Sequence, residues 1–121
     1  MSIQKVNLKE KFDSFQEYWT PKIAGELNEQ HIKLAKFKGE FVMHQHIKED
    51  EMFLVIEGHL VIELENETIE LNPGELVIIP KGTMHKPIAK EEVQVLLIEP
   101  KTTLNTGDQD SDFTLRELEK F

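Results

Sequence analysis

The sequence predicts an all-β barrel with a short helix in front of it, and three observations carry that expectation. Segments rich in β-branched and aromatic residues recur at intervals of about eight to twelve positions, the rhythm of sandwiches and barrels. Gly, Pro and Asn punctuate the intervals between them. The connectors Asn28-Glu29, Glu65-Asn66-Glu67 and Asn72-Pro73-Gly74 are polar, turn-forming and short, so neighbouring strands should pair antiparallel.

Taken in order, residues 1–20 read as a helical segment packing on the barrel. Leu8, Phe12, Phe15, Tyr18 and Trp19 recur at roughly helical spacing, and Pro21 would end the helix. Those aromatics are read as packing residues rather than as a ligand cage. Residues 21–100 hold the barrel. Its strands are expected at Lys22–Leu27, His31–Lys38, Phe41–His46, Met52–Glu57, Leu60–Leu64, Thr68–Leu71, Leu76–Ile79 and Val93–Glu99. Leu76-Val77-Ile78-Ile79 is apolar at every position, so both faces should be covered, one by the interior and one by another sheet or subunit. A homodimer is therefore the expected assembly. Residues 101–121 read as a mobile tail, polar and turn-prone from Thr102 to Asp112. Its end, Phe113 to Phe121, forms a weak amphipathic helix aligning Leu115, Leu118 and Phe121.

Composition narrows the function classes. A chain of 121 residues can bury about two-thirds of its unfolded surface around one core. With 23 acidic against 14 basic residues the net charge is −9, a field that repels nucleic acid. No stretch approaches the ~20 apolar residues of a membrane span, so a soluble cytoplasmic protein without a membrane partner is expected. Cysteine is absent, which removes disulfides, thiolate metal sites and thiol nucleophiles. Any metal must then be held by nitrogen and oxygen.

Histidine supplies the first such pair. His44 and His46 are one residue apart on an expected strand, and side chains alternate with period two, so both imidazoles point to one face. Glu51 follows at the start of the next strand, after a connection short enough to return its carboxylate beside them. Glu49 and Asp50 are near enough to be rivals, although solvated loop acids are the commoner outcome. His85 comes much later, after the turn Pro80-Lys81-Gly82, where a neighbouring strand can complete the set. Parity from Glu51 places Phe53 and Val55 on its inward face, and Val42 shares the face of His44 and His46, so these three are the expected apolar pocket wall. Phe41, Met43 and Met84 are assigned to core packing. His31 and His59 fit no ligand spacing, and each is expected on a polar strand face.

The series Gly39-x4-His44-x-His46-x4-Glu51-x6-Gly58, followed by Gly74-x5-Pro80-x-Gly82-x2-His85, resembles the paired motifs of the cupin superfamily. In length it is similar to the small, single-domain mannose-6-phosphate-isomerase-like cupins of bacteria. The resemblance spans residues 39–85 and implies a double-stranded β-helix, or jelly-roll, barrel that is often dimeric. It also implies metal ligands at His44, His46, Glu51 and His85, choosing Glu51 over its rivals. Two positions depart from the pattern. The spacer between Gly39 and His44 is four rather than five, and Ala89 stands where the second motif commonly ends in asparagine.

Three imidazoles and a carboxylate contain no soft ligand, which suits one divalent transition metal ion: Fe, Mn, Ni, Co or Zn. If six-coordinate, the ion would keep two positions for a small-molecule substrate, or for substrate and oxygen together. The expected function is a metal-dependent enzyme acting on a small molecule, of oxygenase or isomerase/lyase type. A non-catalytic module that binds or senses a small ligand through the metal is the alternative, and a scaffold using the outer sheet ranks third. No separate acid, base or nucleophile declares itself, so the catalytic residues stay unassigned. A sugar-phosphate substrate is disfavoured, because the single arginine, Arg116, falls in the tail and Lys81 and Lys86 look solvent-facing.

Overall fold

Antiparallel strand pairing organises the chain around one long strand. The computed structural model describes residues 3–121, so the first two positions of the expected helical segment lie outside the described residues. A single helix, α1 (Leu8–Asp13), is followed by β1 (Lys22–Leu27), β2 (Gln30–Glu40), β3 (Glu51–Glu57), β4 (Leu60–Leu64), β5 (Thr68–Leu71), β6 (Leu76–Ile79) and β7 (His85–Pro100). Strands β1, β2, β7, β3 and β6 are neighbours in that order, while β4 pairs with β5 and β7. This mostly-strand, antiparallel architecture is a jelly roll.

Strand β7 joins the two halves. Its C-terminal part lies between β2 and β3, with Leu96 opposite both Leu34 and Leu54. Its N-terminal part pairs with β4, His85 opposite Leu64, and with the end of β2, Ala89 opposite Gly39. The register of β2 shifts between Phe37 and Gly39, where Gly39 takes a φ of 88° that residues with a Cβ rarely adopt. That shift bends β2 from one half into the other. Sequence reasoning began β7 at Val93 and missed the turn-proximal half, because Lys90-Glu91-Glu92 reads as a polar break.

Alternation along the strands sorts the side chains. Glu51, Phe53 and Val55 of β3 are buried, as are His85, Pro87, Ala89, Val93, Val95, Leu97 and Glu99 of β7. The inner core gathers Phe37, Phe53, Val55, Leu60, Ile62, Val93 and Val95. On β2, residues Leu34 to Phe37 are all buried, because a second cluster of Phe12, Phe15 and Leu34 covers the outer face.

Three expectations are corrected. The N-terminal helix stops at Asp13 rather than running to Trp19: Asn7 caps its start by accepting from the Glu10 amide at 3.0 Å, and the Ser14 hydroxyl donates to the Lys11 carbonyl at 2.6 Å. Beyond it the chain runs beside β2, with the Trp19 amide on the Lys36 carbonyl at 2.8 Å. The aromatics end in two different cores, Phe12 and Phe15 outside and Trp19 inside, which one straight helix does not reach. Residues Phe41–His46 form no regular strand, only a bridge between His44 and His85. The expected helix at Phe113–Phe121 is replaced by turns and an extended end. Ile23 donates to Glu119 at 2.8 Å and accepts from Phe121 at 3.1 Å, while the Phe121 ring meets Phe15 edge-on. Docking on β1 outcompetes a short helix of weak propensity.

Candidate metal centre

The bridge between His44 and His85 is the centre's scaffold. The two backbones exchange hydrogen bonds, His44 N to His85 O at 3.0 Å and His85 N to His44 O at 2.8 Å, which holds the two rings with centroids 4.3 Å apart. Glu51 enters at the first position of β3, and His46 two residues beyond His44. All four side chains are buried, and one potential ligand atom from each lies within 4.8 Å of the others.

Ring orientation follows from the partners of the other nitrogen. His44 Nδ1 lies 2.9 Å from the Val42 carbonyl and His85 Nδ1 lies 2.9 Å from the Thr83 carbonyl. A carbonyl only accepts, so Nδ1 carries the proton in each ring and the Nε2 lone pair is left facing inward. Hydrogen bonding of this kind fixes the tautomer in metal-ligating histidines. Burial, then the neighbouring His85, hold His44 down to about 4, so it is neutral near pH 7.

The inward atoms do not satisfy one another. His85 Nε2, a lone pair, meets Glu51 Oε1 at 3.2 Å, acceptor against acceptor. His46 Nε2 lies 3.3 Å from the same oxygen without hydrogen-bond alignment, so both its ring nitrogens are buried and unpartnered. Ligands about 2.1 Å from one ion stand roughly 3.0 Å apart at right angles and about 3.4 Å apart in a tetrahedron, which brackets these separations. The residues present fit a divalent cation bound through nitrogen and oxygen.

A second buried pair backs the carboxylate. Lys33 Nζ donates to Glu99 Oε1 at 2.6 Å, both side chains fully enclosed, and Glu99 Oε2 has no donor facing it. Glu99 adjoins Glu51. Burial would raise Glu51, but its neighbours Glu99, His46 and His85 hold it well below the usual carboxylate range. Burial and then the charge of Glu51 push Glu99 well above that range, against Lys33.

Two cavities flank the centre. A small one of about 30 Å³ is lined by His44, Glu51, Glu99 and Asn105 on its polar side and by Trp19, Phe41 and Phe53 on its apolar side. Trp19 stacks on Phe37 at 4.4 Å and on Phe41 at 4.8 Å. The other, about 240 Å³, opens beside His46 between Ile47–Glu49 and the tail residues Thr102, Leu104, Gly107 and Asp108. Gly107 has a φ of 58°, and a Cβ there would overlap the Gln45 carbonyl oxygen, so only glycine lets the tail close on the His44–His46 segment. Asp108 fastens it by accepting from the Gln45 amide at 3.1 Å.

Of the expected pocket residues, Phe53 lines the small cavity. Val55 is buried in the core, and Val42 is half-buried and contributes its carbonyl. Phe41, assigned to core packing from sequence, is in the core and is also a wall of that cavity. Glu49 hydrogen-bonds to the Thr102 hydroxyl and Asp50 to the Lys81 amide, so neither rival carboxylate enters the centre. His59 lies between Asn72 and Glu70 at the surface. Sequence reasoning missed Trp19, Lys33 and Glu99. For Glu99 a signal existed, since it falls on the same parity as Val93, Val95 and Leu97; nothing local marked Lys33.

Residues 31–99 match the model of the cupin domain family. A Bacillus subtilis protein, YdbB, described as uncharacterized, is 38% identical over 77 residues, covering 63% of this chain and 68% of its own. The crystal structure of a cupin-2 domain containing protein from Shewanella frigidimarina superposes with a TM-score of 0.78 at 45% identity, over 79% of this chain and 94% of that one. Acireductone dioxygenase of Bacillus licheniformis is 27% identical over 77 residues, 60% of this chain and 43% of its own, so the likeness covers less than half of that enzyme.

Replacing Lys33 by Met removes the cation beside Glu99. Because Glu99 can stay neutral, the expected loss of stability is about 2 kcal/mol, below that of a buried pair that cannot neutralise. Urea denaturation of Lys33→Met and of Lys33→Met/Glu99→Gln measures it. Recovery in the double variant is expected, and equal loss in both would contradict the pairing.

Proposed function

The chain belongs to the cupin domain family, and on that premise we propose that it is a metal-dependent enzyme acting on a small molecule. His44, His46, Glu51 and His85 would hold one divalent transition metal ion, Fe, Mn, Ni, Co or Zn. The observation that carries this reading is the buried, unpartnered His46 ring beside two imidazole lone pairs and an ionised carboxylate. Buried polar atoms are rarely left unsatisfied without a role. When bound, such an ion supplies Lewis acidity, and iron or manganese adds redox chemistry.

The chain's own residues then have separable tasks. The Val42 and Thr83 carbonyls orient His44 and His85. Glu99, the more readily protonated of the two carboxyls, leaves the negative charge on Glu51. Trp19, Phe41 and Phe53 keep water from one side, while the cavity beside His46 gives a small polar molecule its approach. Similarity to acireductone dioxygenase supports the oxygenase branch, and a Lewis-acid isomerase or lyase is the other branch. A small molecule suits this acidic chain better than nucleic acid. Among the described residues no helix is long and apolar enough to cross a membrane, and a cytoplasmic setting is proposed with that.

One observation favours a second reading, non-catalytic capture of a small ligand. Apart from His44 and Glu51, the only ionisable group lining the small aromatic cavity is Glu99, and Lys33 already occupies it. Loading the protein separately with each metal and screening small polar substrates, aerobically for iron, discriminates the two. Turnover that falls at least about 100-fold in Glu51→Ala supports the enzyme. Saturable ligand binding without turnover by any loaded form supports capture instead.

A homodimer through β6 is the proposed assembly. That strand pairs on one side only, with β3, and leaves Leu76 and Ile78 54% and 58% exposed. Sedimentation equilibrium should find a dimer at micromolar concentration and a monomer for Ile78→Lys. A monomeric parent chain would contradict the assembly.

A further inference from the structure

A third cavity, of about 170 Å³, shares no wall residue with the small aromatic one. Its wall includes His31, Lys33, Lys101, Thr102, Thr103 and Arg116. In a chain of net charge −9, four of the few basic side chains thus meet in one place. Arg116 arrives from the tail and Lys101 from just beyond β7, which no local sequence pattern announces. The space is well beyond the ~15 Å³ that one water needs.

Two observations indicate what the cavity takes. The Thr103 hydroxyl is buried, its residue 8% exposed, and it has no hydrogen-bond partner. The cations, by contrast, are held loosely. Lys101 Nζ reaches Glu26 at 3.3 Å and Arg116 Nη2 reaches Asp110 at 3.6 Å, while the His31 ring, which is not one of the cations, has Nε2 3.5 Å from Glu26. Glu26 and Asp110 are both solvent-exposed, so these contacts are weak and replaceable. Only Lys33 is firmly committed, to Glu99. Burial, then the charge of Lys33, lower His31 against the pull of Glu26, so His31 lines the wall as a neutral ring.

We propose that this cavity binds a small tetrahedral oxyanion, phosphate or sulfate, free or as the terminal group of a larger ligand. Lys101 and Arg116 supply the charge, and the Thr103 hydroxyl donates the buried hydrogen bond. Charge-assisted bonds of this type are the strong ones, and a dianion outmatches the single exposed carboxylates now opposite these cations. The cavity shares Thr102 and Leu104 with the one beside His46, and Lys33 belongs to both neighbourhoods.

Titration calorimetry and thermal melts with inorganic phosphate, at constant ionic strength held by chloride, test the site. The parent protein should bind saturably with a dissociation constant of about 1 mM or tighter, and its Tm should rise with phosphate. Lys101→Ala should weaken binding about tenfold or more. Thr103→Val should raise the phosphate-free Tm, because an unsatisfied buried hydroxyl is gone, and lose most of the phosphate-dependent rise. Arg116→Ala, in the exposed tail, repeats the first comparison should Lys101→Ala not fold. No saturable binding by the parent chain, or an unchanged phosphate response in the variants, would overturn the proposal.

Discussion

Burying a charged carboxylate is costly unless donors or cations surround it, and Glu51 imposes that demand on the whole barrel. It stands 5% exposed at the head of β3, with the aromatic core on one side and three imidazoles on the other. The neighbours answer only in part. Glu99, itself anchored by Lys33, leaves the charge on Glu51, and His46 and His85 come within 3.3 Å. Two of those rings present lone pairs or unpartnered nitrogens rather than matched donors. The four side chains thus form a buried set of nitrogen and oxygen donors that a divalent cation would satisfy.

The rest of the architecture can be read as support for that arrangement. Strand β7 runs through both halves of the barrel, with alternate residues buried on either side of the exposed Lys90–Glu92, so the same strand delivers His85 to the centre and Glu99 behind it. The bend of β2 at Gly39 releases the segment that carries His44 and His46 from regular pairing, leaving one bridge to His85. The tail then closes over that segment through Gly107 and Asp108. Rigid backbone on three sides limits how far the rings can relax when the interior is uncompensated.

Much of this was legible in the sequence where the causes are local. Period-two alternation placed Phe53 beside Glu51, and turn residues located the hairpins at Glu65–Glu67 and Asn72–Gly74. Recurring histidine and glutamate spacings named four residues that the fold brings within 4.8 Å of one another. Other features depend on contacts distant in sequence. Phe41–His46 alternates like a strand yet lacks a strand's partners, because Gly39 turns the chain away. Trp19 reaches the cavity only because α1 ends six residues earlier, and Lys33 finds Glu99 across 66 positions. Lys and Glu ordinarily face solvent, so only the buried parity of β7 hinted at Glu99. The tail misled because helical spacing of Leu115, Leu118 and Phe121 said nothing of the β1 edge waiting for them.

Elemental analysis of protein purified without chelators, set against His46→Ala prepared identically, tests the central claim most directly. About one transition metal ion per chain in the parent protein, and its loss in the variant, is the expected result. Absence of metal in both, persisting after incubation with Fe(II), Mn(II), Ni(II), Co(II) or Zn(II), would contradict it and leave the four side chains as an unfilled polar core.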